Sequence, residues 1–339
     1  MGGATGRTQR GRRAGALVVA ACLVALGAGP AAGAPWPPDR VAPPAPGEGR
    51  PLEDPSDPAP GASFYAQPAP RVALSGIGFA PQAVERLAGS NRFLTAVETS
   101  RVGWPGGAAA AVLASGDDYP DALAGSALAG TVGGPLLLTP GGRLDADVAA
   151  ELRRLDVATV YLVGALSDDL EVAVRGLGAD PERLRGEDRY ATAFAVAQRA
   201  AELGAETATV LVASGEGFAD ALAASALAAG LRQPILLTRP GLRDLLAERV
   251  AELGAQRSVV VGGTAVLPDD AVAGLPGLER AAGLERSATA AAVADRARAA
   301  GLAGAPVLVG GESFPAGLSG GTFAGGARRA PLLVTGRRD

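Results

Sequence analysis

Residues 114–130 read ASGDDYPDALAGSALAG, and the chain repeats the stretch as ASGEGFADALAASALAAG over 213–230. The second copy is the easier one to place. ATVLVAS (208–214) is a continuous apolar run, the pattern of a parallel strand covered on both faces. It ends in Ser-Gly and an acid, an aromatic follows, and a helix of Ala, Leu and Ser then begins. The stretch is therefore a corner between a buried strand and a helix that lies close to its neighbours. Working outward, RYATAFAVAQRAAEL (189–203) predicts a preceding helix with Asp188 as N-cap. PILLT (234–238) predicts a second strand, LRDLLAERVAEL (242–253) an amphipathic helix, and SVVVGG (258–263) a third strand. Strand and helix alternate, so the fold class is α/β, with parallel sheets built from right-handed βαβ units.

The same unit recurs. RLAGSNRFLTA (86–96) returns as RLRGEDRYATA (183–193) and more faintly as RAAGLERSATA (280–290). GGPLLLT (133–139) returns as RQPILLT (232–238) and RAPLLVT (329–335), and VYLVGALSDD (160–169) matches SVVVGGTAVLPDD (258–270). A period of 97 residues is too long for a solenoid, whose repeats run roughly 20–50 residues, so each copy is a small module. The expected organisation is a leader over 1–34, a proline-rich stem over 35–80, and modules over 81–180, 181–276 and 277–339.

Composition narrows the chemistry. The chain of 339 residues has no histidine, and all 31 of its basic residues are arginine. Histidine-based triads, imidazole metal ligands, Schiff bases and a P-loop lysine are thereby excluded. The single cysteine, Cys22, falls in the leader, so thiol chemistry in the body is excluded as well. Only carboxylates, hydroxyls and arginine remain.

The N-terminus carries Arg7, Arg10, Arg12 and Arg13 ahead of the apolar AGALVVAACLVALGAG (14–29), with AGA at 32–34 as a cleavage pattern. These features predict an export signal that touches the membrane only in transit. Its removal takes four arginines and no acid, moving the net charge from −4 to −8. From Pro35 to Pro70, twelve of 36 residues are proline, which predicts an extended spacer that buries no core.

With these motifs assembled, the chain resembles the cell wall-binding repeat 2 family, whose modules stand in tandem, usually three, in exported proteins of Gram-positive bacteria. The resemblance covers residues 85–339. It implies noncovalent attachment to a cell-wall polysaccharide or secondary wall polymer, often anionic, with three modules packed about a pseudo-threefold axis. It implies no nucleic-acid partner and no cofactor. The third copy departs from the pattern. Ala316 stands where the others have Asp121 and Asp220, Ser287 stands where they have Phe93 and Tyr190, and the copy stops just after its second strand.

The candidate ligand-binding residues are Arg92, Ser115, Asp117, Tyr119 and Asp121, with Arg189, Ser214, Glu216, Phe218 and Asp220 as their counterparts. In open parallel sheets ligands bind beyond the carboxyl ends of the strands, and a helix start there offers free N–H groups. Locally, Ser115 and Asp117 could equally satisfy turn amides, and Asp121 could complement the helix dipole. Tyr119 and Phe218 could stack on a sugar or plug the helix into the next module. Arg92, Arg189 and Arg286 could hold an anion, or bridge modules through Asp121 or Asp220. Thr95, Thr192 and Thr289 read as helix-face residues. Asp168-Asp169 and Asp269-Asp270 read as helix-entry acids, and Gly262-Gly263 lacks the spacing of a dinucleotide loop. The reading is a non-catalytic wall-binding protein. The alternatives are a carboxylate-dependent wall hydrolase using Asp117, Asp121, Asp220 or Glu216, and a surface-layer assembly protein.

Overall fold

The computed structural model describes residues 84–312 and 314–335. The expected leader (1–34) and stem (35–80) lie outside them. The first module runs α1 (Arg92–Gly103), β1 (Ala110–Ser115), α2 (Pro120–Val132), β2 (Leu136–Thr139), α3 (Ala146–Leu155), β3 (Thr159–Val163), α4 (Asp169–Gly176) and β4 (Asp180–Leu184). The second repeats it as α5 (Arg189–Glu202), β5 (Thr209–Ser214), α6 (Phe218–Leu231), β6 (Ile235–Thr238), α7 (Arg243–Glu252), β7 (Arg257–Val261), α8 (Asp269–Val272) and β8 (Leu278–Ala281). The third comprises α9 (Arg286–Ala299), β9 (Val307–Gly310), α10 (Pro315–Thr322), which a π-helical turn (Phe323–Ala327) prolongs, and β10 (Leu332–Thr335).

Each sheet is parallel. The orders are β2-β1-β3-β4, β6-β5-β7-β8 and, for the third module, β10-β9. β1 and β5 are central, which explains their unbroken apolar runs; all six residues of β5 are buried. β4 and β8 are edge strands and read as such. DPERL and LERA are short, charged and, in β4, carry Pro181, where an unpaired N–H is not missed. Sequence reading passed over both, because they lack an apolar run. They also shift the boundaries of the sheets. β4 spans the expected 180/181 border and β8 follows the 276/277 border, so each sheet closes on the first residues of the next repeat.

Sequence-local signals place the helix starts. Asn91 Oδ1 accepts from Leu94 N at 2.9 Å and Asp188 Oδ1 from Ala191 N at 2.7 Å, both as N-caps. Thr95, Thr192 and Thr289 have a second role behind these caps. Their hydroxyls accept the N–H of Gly89, Gly186 and Gly283 at 3.0–3.1 Å and so fold the incoming loop back onto the helix. Asp169 and Asp269 open α4 and α8, and Arg183 and Arg280 pair with Asp168 and Asp269.

The small-residue helices α2 and α6 are buried on almost every face. They contact each other, and both contact α10. A Cβ on Gly321 would come within 1.7 Å of Ser225 Oγ, and one on Gly325 within 1.9 Å of the Ala226 carbonyl oxygen. Glycine at this four-residue spacing lets α10 and its π-helical turn lie directly on the backbone of α6. The outer contacts run in a ring: α2 touches α5, α6 touches α9, and α10 touches α1. Among the described residues no helix is long and apolar enough to cross a membrane.

Candidate functional site between modules

The first two corners begin where the central strands β1 and β5 end. Ser115 Oγ accepts from Asp117 N at 3.1 Å, and Asp117 Oδ2 accepts from Gly141 N, beyond β2, at 3.2 Å. In the second module the buried Ser214 Oγ accepts from Glu216 N at 3.1 Å. These residues hold the turn, and Asp117 ties the β1 corner to the β2 corner.

Asp121 ties the same corner to β3. Its carboxylate accepts a backbone hydrogen bond from Ala165 and lies across Gly164, where a Cβ would come within 1.9 Å of Oδ2. Gly164 has φ +86°, so the position is closed to side chains on two counts. Asp220 sits over Gly262 in the same way, with a less severe approach of 3.3 Å. Gly262, directly after β7, is therefore a seat for Asp220. Burial raises the Asp121 pKa, the Ala165 hydrogen bond opposes that shift, Asp118 adds to it, and Arg189 and Arg185 pull it down.

The three repeated arginines share one role. Arg92 donates to the Gly116 carbonyl at 2.7 Å, Arg189 to Gly215 at 2.5 Å, and Arg286 to Gly311. Each thus pins the corner of its own module, and the rings of Phe93 and Tyr190 lie over the corner glycines. The expected bridge from Arg189 to Asp121 or Asp220 is corrected. Its intermodule partner is Asp118, at 3.3 Å.

Tyr119, Phe218 and Phe314 hold the same position in the three copies, and their rings meet. The centroid separations are 6.0, 6.2 and 5.7 Å, in tilted and edge-on geometry. Tyr119 is only 6 % exposed, and burial pushes its phenol up to about 12. Its contacts are those of a plug between modules. Phe218 and Phe314 are half-buried.

Beside this cluster, between the first corner and the loop entering α5, lies an open cleft of about 170 Å³. Asp118, Asp121, Arg185, Glu187, Asp188, Arg189 and Thr192 supply its polar lining. Of the sequence candidates only Asp121 and Arg189 line it; Arg92, Ser115, Asp117, Tyr119, Ser214, Glu216, Phe218 and Asp220 do not. Asp118 and Arg185 carry no repeat signal, since Ala88 stands in the first copy where Arg185 stands in the second. Asp118 aligns with Gly217, so the repeat comparison gave no signal for it.

The sequence model of Cell wall binding domain 2 (CWB2) matches residues 86–168 and 183–272. The chain belongs to the CWB2 family. Relatives include the N-acetylmuramoyl-L-alanine amidase LytC of Bacillus subtilis (strain 168), 30% identical over 261 residues, which are 76% of this chain and 51% of LytC. The Amidase enhancer of the same strain is 29% identical over 180 residues, 52% of this chain and 25% of that protein. The chain thus spans about half of one relative and a quarter of the other. Among solved structures, Cwp8 from Clostridium difficile is similar with TM-score 0.61 and 28% identity, over 74% of this chain and 44% of Cwp8. Cwp6 from Clostridium difficile shares the fold with TM-score 0.63 at 23% identity, over 77% of this chain and 44% of Cwp6. In CWB2 terms, the corners are the strand-to-helix turns of the tandem repeats, and the cleft is a junction between the two matched ones.

Proposed function

We propose that this chain anchors an exported protein noncovalently to the cell wall by gripping a wall glycan in the cleft between its first two CWB2 modules, with the three modules set about a pseudo-threefold axis. The observation that carries the reading is the Asp118–Arg189 pair, which draws a carboxylate from one module and a guanidinium from the next to the rim of an open polar cleft. Carboxylates accept from sugar hydroxyls and a guanidinium donates to ring, amide or carboxylate oxygens, so the lining suits a polyhydroxylated chain. Asp118, Asp121, Glu187 and Asp188 outnumber Arg185 and Arg189 in the cleft, which therefore favours the sugar part of a polymer over its anionic groups.

The test is retention of the full chain on purified walls before and after secondary polymers are stripped. Wild type should be retained on intact walls, and Asp118→Ala with Arg185→Ala should elute at least tenfold more readily. Absence of retention on either preparation would sink the proposal. The amidase name of one relative motivates a second reading, wall hydrolysis, and release of reducing sugars or stem peptides in the same assay would promote it.

A further inference from the structure

At the opposite ends of α2 and α6 from the aromatic cluster, three equivalent positions meet again. They are Gly133, Arg232 and Arg329, each just before its module's second strand. All three have left-handed backbone, with φ of +69°, +57° and +52°. Glycine adopts this conformation freely, whereas a residue with a Cβ does so at a cost. Only three non-glycine residues among those described have positive φ, and two of them are these arginines. Backbone strain held at one place is a reason to ask what the side chains do there.

They line a pocket of about 110 Å³ together with Trp104, Gly230 and Gly326, so all three modules contribute to it. Two backbone carbonyls at this place are already answered. Trp104 Nε1 donates to the Gly133 carbonyl at 2.7 Å, and one Arg329 nitrogen donates to the Gly230 carbonyl at 2.5 Å. Capping the carbonyls therefore accounts for one N–H of Arg329 and for none of Arg232. Among the described residues no carboxylate pairs with either arginine. Arg232 and Arg329 are exposed, Trp104 is half-buried, and the hollow that they line is sized for a single group.

We propose that this pocket binds an oxyanion, a phosphate or carboxylate group, through Arg232 and Arg329 against Trp104. Guanidinium forks match such groups in geometry and charge. The site is separate from the acidic cleft, and it stands whether or not that cleft holds a glycan. The two regions divide the work: one suits the hydroxyls of a wall polymer and the other its charge.

The test uses the full chain with Trp36→Phe, which leaves Trp104 as its one tryptophan. Titration with inorganic phosphate should change Trp104 emission saturably. Arg232→Gly, which installs the residue the first module uses at Gly133, should weaken that binding at least tenfold without lowering the melting temperature. Unchanged emission in the Trp36→Phe chain, or equal binding after Arg232→Gly is added to it, would overturn the proposal. A glycerol-phosphate polymer separates the sources. Tighter binding per phosphate than the free ion assigns the site to a polymer, and equal binding assigns it to a free anion. An unsubstituted chain that is not retained on walls yet shows the phosphate response would refute the cleft and leave this site intact.

Discussion

Asp118 and Arg189 stand 71 positions apart in sequence and pair at 3.3 Å across the junction of the first two modules. The same guanidinium donates to the Gly215 carbonyl of its own module, so a single side chain serves a corner and an interface. The Asp118 side of that bond is well exposed, and exposed pairs contribute ~0–1 kcal/mol. Asp118 Oδ1 also accepts from Tyr119 N at 2.8 Å, so Asp118→Ala should cost only about 0.5–1.5 kcal/mol. Arg189→Ala also strands a half-buried carbonyl, and should cost about 1–3 kcal/mol. Chemical denaturation of both variants checks the difference; equal losses would contradict the separate roles.

Gly164 should be among the least tolerant positions. Gly164→Ala must displace the Asp121 carboxylate, 1.9 Å from the new Cβ, and must also hold φ +86°. A loss of about 3 kcal/mol or more is expected, in the range of strained or overpacked substitutions. Gly262→Ala meets Asp220 only at 3.3 Å and should cost less. Reversal of that order in urea melts would show that Asp121 yields easily.

Asp121 also sets a pH dependence. Its folded pKa is raised above the ordinary 3.8, chiefly by burial, so between the two values the folded state binds more protons than the unfolded state. Its contribution to stability therefore declines as pH rises past 3.8 and levels off above the folded value. The difference in stability between Asp121→Asn and wild type should grow in favour of Asn across that window. A difference that stays constant with pH would show that the carboxyl is not shifted.

The ring cluster tests whether the third module is an integral part of the assembly. Tyr119→Ala removes a buried ring and should cost about 3–5 kcal/mol. In a double-mutant cycle with Phe314→Ala, the coupling should be about 0.5–1.5 kcal/mol beyond burial. Zero coupling would mean that the 6.2 Å contact contributes nothing.

Much of this was legible in the residues. The unbroken runs of β1 and β5, the cap at Asp188, and the glycine–alanine helices follow from local periodicity and spacing, and their recurrence gave the modular plan. What local pattern could not give is any feature that is not repeated or that depends on a distant neighbour. β4 and β8 look like polar loops until β3 and β7 lie beside them. Asp118 is ordinary until α5 brings Arg189 to it. The sequence by itself determined a tandem α/β protein without histidine or lysine chemistry. Only tertiary structure decided that Tyr119 is a plug, that Arg92 and Arg189 hold corners, and that Arg232 and Arg329 meet at one pocket. The reason is physical: a side chain's role is set by what removes it from water, and here that is supplied by the next module.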